Sequence, residues 1–226
     1  MKVFFRIFII LLSLFFLSAH TSHYKNLKKI EMEIFRNNEL IGFNYYFFTR
    51  NKDITKVTNK IKFTVKLLGA TIFEVDGYGE EKYNKNDLTS FISKTKQNNK
   101  EKFVNLELDE EKNEFIIKGS SYTGKAKTRS VVGNWWNHEL LQAESQISPM
   151  SGSIKKQVTT FVAKEKIKLY GKNIEAEHFK LTINNKNLTD DKKLSFDIWL
   201  DKKTRLILKV KYSKMGDWEY RLKSYE

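Results

Sequence analysis

From residue 29 onward the chain repeats with a period of two. Ile30, Met32 and Ile34 fall on one side of an extended backbone, and Lys29, Glu31 and Glu33 on the other. Ile61, Phe63, Val65 and Leu67 alternate in the same way with Lys62, Thr64 and Lys66. Successive side chains of a strand point to opposite faces, so this pattern predicts strands with one packed face and one wet face. A helix needs apolar residues three and four apart, and no long stretch beyond the N-terminus supplies them.

Turn residues cut the alternation into short pieces. Asn37-Asn38-Glu39 ends the first strand, and residues 42–50 form a second with aromatics on both faces: Phe43, Tyr45 and Phe47 on one, Tyr46 and Phe48 on the other. Gly69 breaks the third strand, and residues 71–83 resume it. Further strands are predicted over 88–96, 102–108, 114–118, 158–169, 174–183, 194–200, 206–212 and 218–222, while the small polar run 119–130 reads as a loop. Connections this short suit hairpins and exclude parallel crossovers. Ten to twelve strands in antiparallel succession imply an all-β fold. A single large curved sheet or open β-barrel over residues 23–226 ranks first and a two-sheet sandwich second.

One stretch does not alternate. Residues 133–141, Gly-Asn-Trp-Trp-Asn-His-Glu-Leu-Leu, hold two of the four tryptophans and predict a short helical or loop insert capped by Asn134. Together with the turn around Pro149, it is long enough to cover the concave side of the sheet.

Residues 1–22 read as a secretory leader. Lys2 and Arg6 precede an apolar run from Ile7 to Leu17, and the small or polar residues Ser18, Ala19, His20, Thr21 and Ser22 follow. Eleven residues are too few to span a hydrocarbon core of about 30 Å at about 1.5 Å each, so a cleaved signal is expected ahead of an uncleaved anchor. The expected location is the periplasm or the exterior. With no cysteine in the chain, lipid attachment, thiol catalysis and thiolate metal sites are excluded.

The net charge is +14, carried by 35 Lys against 6 Arg. Nucleic-acid recognition favours the bidentate Arg fork, and the lysines are scattered, so nucleic acid is not an expected partner. An anionic membrane surface is the partner that such a surface suits better.

Catalytic constellations are sparse. The Gly-x-Ser-x-Gly elbow, a phosphate-binding glycine loop and His-Glu-x-x-His are all absent. Of the four histidines, His20 and His23 lie near the leader, leaving His138 and His178 for a folded site. On a strand, Glu175 and Glu177 share a face and His178 takes the other, so those three do not converge. Paired carboxylates such as Glu80-Glu81 and Asp190-Asp191 read as solvated. Asn187-Leu188-Thr189 fits the glycosylation pattern, which matters only in a eukaryotic secretory route. Neither a cofactor, nor a metal site, nor a catalytic residue is expected.

Several motifs carry a resemblance: Ile34-Phe35-Arg36-Asn37-Asn38-Glu39-Leu40-Ile41-Gly42, Trp135-Trp136-Asn137 followed by Ser151-Gly152, Tyr170-Gly171 with Phe179, and Trp199-Leu200-Asp201 with Arg205-Leu206. In these the chain resembles an uncharacterised family of exported proteobacterial proteins known only as a domain of unknown function. The resemblance implies an antiparallel β domain in a Gram-negative periplasm. At the level of fold, it also implies a likeness to the open β-barrels of lipoprotein carriers and related envelope lipid binders.

The expectation is therefore a binding module for a hydrophobic or amphiphilic, lipid-like ligand. Tyr45, Phe47, Phe63, Trp135, Trp136, His138 and Trp199 are the candidate lining residues. An envelope adaptor docking on anionic surfaces through its lysines is the alternative, and an enzyme ranks third. An outer-membrane barrel ranks lower still, because the chain ends on Tyr225-Glu226 and shows no double aromatic girdle.

Overall fold

The structure, a computed structural model, describes residues 24–184 and 194–226. The leader of residues 1–22, His20, His23, Asp190-Asp191 and the Asn187-Leu188-Thr189 motif lie outside the described residues. The strands are β1 (Lys29–Arg36), β2 (Glu39–Asn51), β3 (Ile54–Leu67), β4 (Ala70–Asn84), β5 (Asp87–Gln97), β6 (Lys100–Asp109), β7 (Glu114–Gly119), β8 (Thr123–Lys127), β9 (Val131–Val132), β10 (Ser145–Ile147), β11 (Ile154–Leu169), β12 (Lys172–Ile183), β13 (Ser195–Asp201), β14 (Ile207–Ser213) and β15 (Asp217–Tyr225).

All fifteen belong to one sheet, ordered β8-β7-β6-β5-β4-β3-β2-β1-β15-β14-β13-β12-β11-β10-β9. Every pairing is antiparallel except β9 with β10. The all-β curved sheet read from the alternation is what forms, with more strands than the ten to twelve expected. The loop expected over 119–130 is corrected: β8 occupies its centre. Thr-Gly-Lys-Ala-Lys contains one apolar side chain, Ala126, too few for a period to register. β9 and β10, at two and three residues, are shorter than any period.

The sheet curls about its own inner face. Ile30, Met32 and Ile34 of β1, Tyr46 and Phe48 of β2, and Leu181, Ile198, Leu200 and Val210 from the far half join one buried cluster. A second cluster brings Val132 and Ile147, from one border, against Phe91, Leu106, Phe115 and Ile117 near the other. Only residues 128–130 separate β8 from β9 along the chain, yet the two edges are not paired. The ring is closed by covalent chain and side-chain packing, and the ladder of hydrogen bonds stays open.

Gly42 is where this packing is tightest. A Cβ there would lie 2.1 Å from the carbonyl oxygen of Lys62 and 2.5 Å from the Phe63 Cα. Both are backbone atoms of β3, so the strand itself would have to move. Gly42→Ala is expected to lower stability by about 2 kcal/mol, measured by urea unfolding. An unchanged midpoint would contradict this register.

Because neighbours are antiparallel, the turns alternate between two ends. The turns at 37–38, 68–69, 98–99 and 214–216 lie at one end, the tip end. Those at 52–53, 85–86, 110–113, 170–171 and 202–206, with Tyr24–Leu27, lie at the other, the mouth end.

Candidate functional site

The insert after β9 lies across the inner face. Its 3-10 turn, His138–Leu141, is capped by Asn137, whose side chain accepts from the Glu139 N–H at 2.9 Å. The expected cap, Asn134, serves elsewhere: its Nδ2 donates to Glu81 Oε1 at 2.6 Å. Trp136 Nε1 donates to the same oxygen at 2.8 Å, and the Tyr83 hydroxyl donates to the other. Glu81 is therefore the clasp that holds the insert to β4. It is 2% exposed. Burial drives its carboxyl above the ordinary range, while the three donors oppose that shift.

Two cavities flank this clasp. The inner one, about 170 Å³, exists because β4 presents Gly77 and Gly79 to the inner face and β5 presents Ser93 and Thr95. Trp135, Pro149 and Met150 roof it. Its wall is polar: Asn44 Nδ2 donates to the Tyr46 hydroxyl at 2.7 Å, and the Trp135 N–H donates to that same hydroxyl at 3.1 Å. Burial raises the Tyr46 pKa. This volume is below the roughly 300–1,000 Å³ usual for organic ligand sites.

The second cavity, about 450 Å³, opens at the mouth end. Its floor is aromatic. Trp136 meets Tyr24, Phe48 and Tyr83 edge-on, with ring centroids 5.4, 5.4 and 5.9 Å away. Its rim is basic: Lys25, Arg50, Lys52 and Lys85 against Asp53 and Glu139. Among the described residues, no carboxylate lies within ion-pair distance of those four cations. Arg50 instead donates to the carbonyl oxygens of Tyr24 and Leu27 and lies 5.4 Å over the Phe48 ring.

The seven residues singled out from sequence are spread over three environments. Trp136 floors the mouth and Trp135 roofs the inner cavity. His138 is buried beside them, and its N–H donates to the Tyr24 hydroxyl at 2.9 Å. Phe63 is core, packed on Phe73 and Trp218. Tyr45 and Phe47 sit on the outer face, where Phe43 stacks on Tyr45 at 4.4 Å and Lys29 lies over both rings.

Trp199 is also on the outer face. There it stacks on His178 at 4.5 Å beneath Lys209, whose Nζ is 3.9 Å from the ring centroid. His178 Nε2 lies 2.9 Å from Asp197 and Nδ1 3.3 Å from Glu165. His178 thus meets carboxylates from strands on both sides, which its own strand's Glu175 and Glu177 gave no hint of. Among the described residues no cluster has the composition of a metal site. Sequence reasoning missed Glu81, Arg50 and this cross-strand group.

Comparison with known proteins is consistent with the geometry. A family model described as a domain of unknown function, DUF6134, matches residues 32–223. No curated protein matches the chain by sequence. Among solved structures, a β-barrel-like protein of domain of unknown function DUF1849 from Brucella abortus is similar. It shows a TM-score of 0.57 at 10% identity over 88% of this chain and 96% of that one. A protein described as exported, with a YmcC-like fold, from Bacteroides fragilis aligns at a TM-score of 0.38 and 10% identity, over 88% and 94% of the two chains. At such identities the likeness to the first concerns the fold alone.

Proposed function

The chain belongs to the DUF6134 family, and on that premise we propose that it is an exported binding module for an amphiphile with an anionic head. The single observation behind this reading is the mouth: an aromatic floor beneath a rim of unpaired cations, about 450 Å³ in volume. An alkyl tail laid on Trp136, Phe48 and Tyr83 gains about 0.8 kcal/mol per buried methylene. A carboxylate or phosphate head at the rim meets Lys52, Lys85 and Arg50, none of which has a carboxylate within ion-pair distance among the described residues. The leader pattern of residues 1–22 supports export. Among the described residues no helix is long and apolar enough to cross a membrane.

Calorimetric titration with monomeric dodecyl phosphate, dodecanoate and dodecyl glucoside tests the reading. Both anions should bind and the neutral glucoside should bind at least tenfold more weakly. The difference between phosphate and carboxylate distinguishes the two head groups. Lys52→Glu with Lys85→Glu should weaken the anions by about tenfold, because each lost charged contact is worth about 1.5–3 kcal/mol before solvent screening. Equal binding of all three amphiphiles, or none at all, would end this account of the mouth.

A further inference from the structure

The tip end carries a feature that the fold does not need. The β3–β4 hairpin continues past its neighbours: the β2 ladder reaches β3 only as far as Phe63, and the β5 ladder reaches β4 only as far as Val75. Val65 and Phe73 still pack on the core and Glu74 is held by Asn98, so residues 66–72 form the end that projects. Leu67, Leu68 and Ile72 there are 60%, 100% and 49% exposed. A Cβ on Gly69 would meet nothing within 4 Å, which places the turn in open space.

Leu68 gains nothing from its place in the turn. It holds φ +50°, in the left-handed region where Asn or Gly is the ordinary occupant. Elsewhere in this chain Asn37, Asn38, Asn98 and Asn113 hold such conformations, as do Lys52, Lys85, Tyr170 and Arg205, whose side chains carry a polar group that Leu68 lacks. A fully exposed leucine in a disfavoured backbone conformation stabilises neither its turn nor a core. Met215, 88% exposed at φ +53°, repeats the arrangement at the β14–β15 turn. Both turns lie at the same end, four strand spacings apart in the sheet order, about 19 Å along its curve.

We propose that the tip end is a membrane-docking surface, and that Leu67, Leu68 and Ile72, with Met215, enter the interfacial layer of a bilayer. The distribution of the apolar residues favours lipid over protein. Three sit on the projecting β3–β4 hairpin and Met215 on a second exposed turn, instead of forming one flat patch. A fluid phase accepts such points one by one, whereas a protein partner would need a matching pit for each. The flanking charges fit an anionic leaflet. Lys66, Lys96, Lys100 and Lys214 are exposed at this end, and residues 64–73 contain no carboxylate. Glu39, Glu74 and Glu101 are exposed behind the tips and Asp217 beside Met215, so the attraction rests first on the apolar insertion and only second on charge. The mouth, at the opposite end, would face away from the bilayer.

Co-sedimentation of residues 23–226 with phosphatidylcholine vesicles, with and without 30% phosphatidylglycerol, tests this. Wild type should sediment with both, more strongly with the anionic ones. A Leu67→Ser, Leu68→Asn, Ile72→Ser variant should lose at least tenfold in partitioning. Its melting temperature should be unchanged or higher, because Asn suits the left-handed position that Leu68 occupies. Absence of wild-type sedimentation, or equal sedimentation of the variant, would overturn the proposal. So would a wild-type dimer on sizing that the variant dissolves, since a second copy would then be the occupant. Lys52→Glu with Lys85→Glu, at the mouth end, should leave vesicle binding intact and so separates this surface from the amphiphile site.

Discussion

Glu81→Leu is expected to cost about 3–5 kcal/mol of folding stability and to lower the melting temperature by about 10 °C or more. The substitution leaves Asn134 Nδ2, Trp136 Nε1 and the Tyr83 hydroxyl buried without their acceptor. Each orphaned donor costs about 1–3 kcal/mol, and the apolar replacement offsets only part of that. Glu81→Gln keeps an oxygen for Asn134 and Trp136 and should cost far less. Thermal unfolding of both variants checks the ranking; equal losses would mean that shape, and not acceptance, holds the insert.

The same pair gives a pH signature. Burial raises the Glu81 pKa in the folded state above that of the unfolded chain, which lies near 4.3. The folded protein therefore holds this proton more tightly than the unfolded one. The stabilisation is complete below about pH 4 and is lost as pH rises through the raised folded value. Glu31, Glu80 and Asp109 shift downward and contribute the opposite slope. The difference between wild type and Glu81→Gln isolates Glu81: the variant should gain on wild type between pH 4 and pH 7. A constant difference across that interval would contradict the burial.

Trp136→Ala has the second large effect. It removes an indole with 6% exposure, three edge-on ring contacts and a hydrogen bond to Glu81, for about 3–5 kcal/mol in total. Amphiphile binding at the mouth should be lost with the floor. Trp136→Phe retains most of the floor and should bind within a few-fold of wild type while losing about 1–2 kcal/mol of stability. Combined with Glu81→Leu, its cost should fall short of the sum of the two singles, because each single change already loses the one bond they share. Chemical denaturation of the four proteins measures the shortfall, and strict additivity would deny the contact.

The strand plan was legible because a curved sheet must bury one face, and a period of two is the direct record of that burial. Which face is buried was not legible on β2. Tyr45 and Phe47 looked as apolar as Tyr46 and Phe48, and Asn44, buried through its bond to the Tyr46 hydroxyl, breaks the pattern on the inner side. Trp199 could have been placed: Phe196, Ile198 and Leu200 claim the inner face by parity and leave it outside. Glu81 could also have been recovered, since Val75, Gly77 and Gly79 set the inner parity that it shares. Two of its three donors, Asn134 and Trp136, come from an insert more than fifty residues later, and no local pattern announces them. The same holds for His178, whose carboxylates arrive from neighbouring strands through pairing that no single strand encodes.

The two borders of the sheet have a bearing on how copies of this chain coexist. A broad antiparallel sheet with a long free margin would recruit other molecules, strand upon strand, into a growing ribbon. Here one margin is the five-residue β8, bearing Lys125 and Lys127, and the other is the two-residue β9. Each is too brief, and the first too charged, to template an incoming strand. The curl turns them toward each other, so the most adhesive part of the architecture is spent within one molecule.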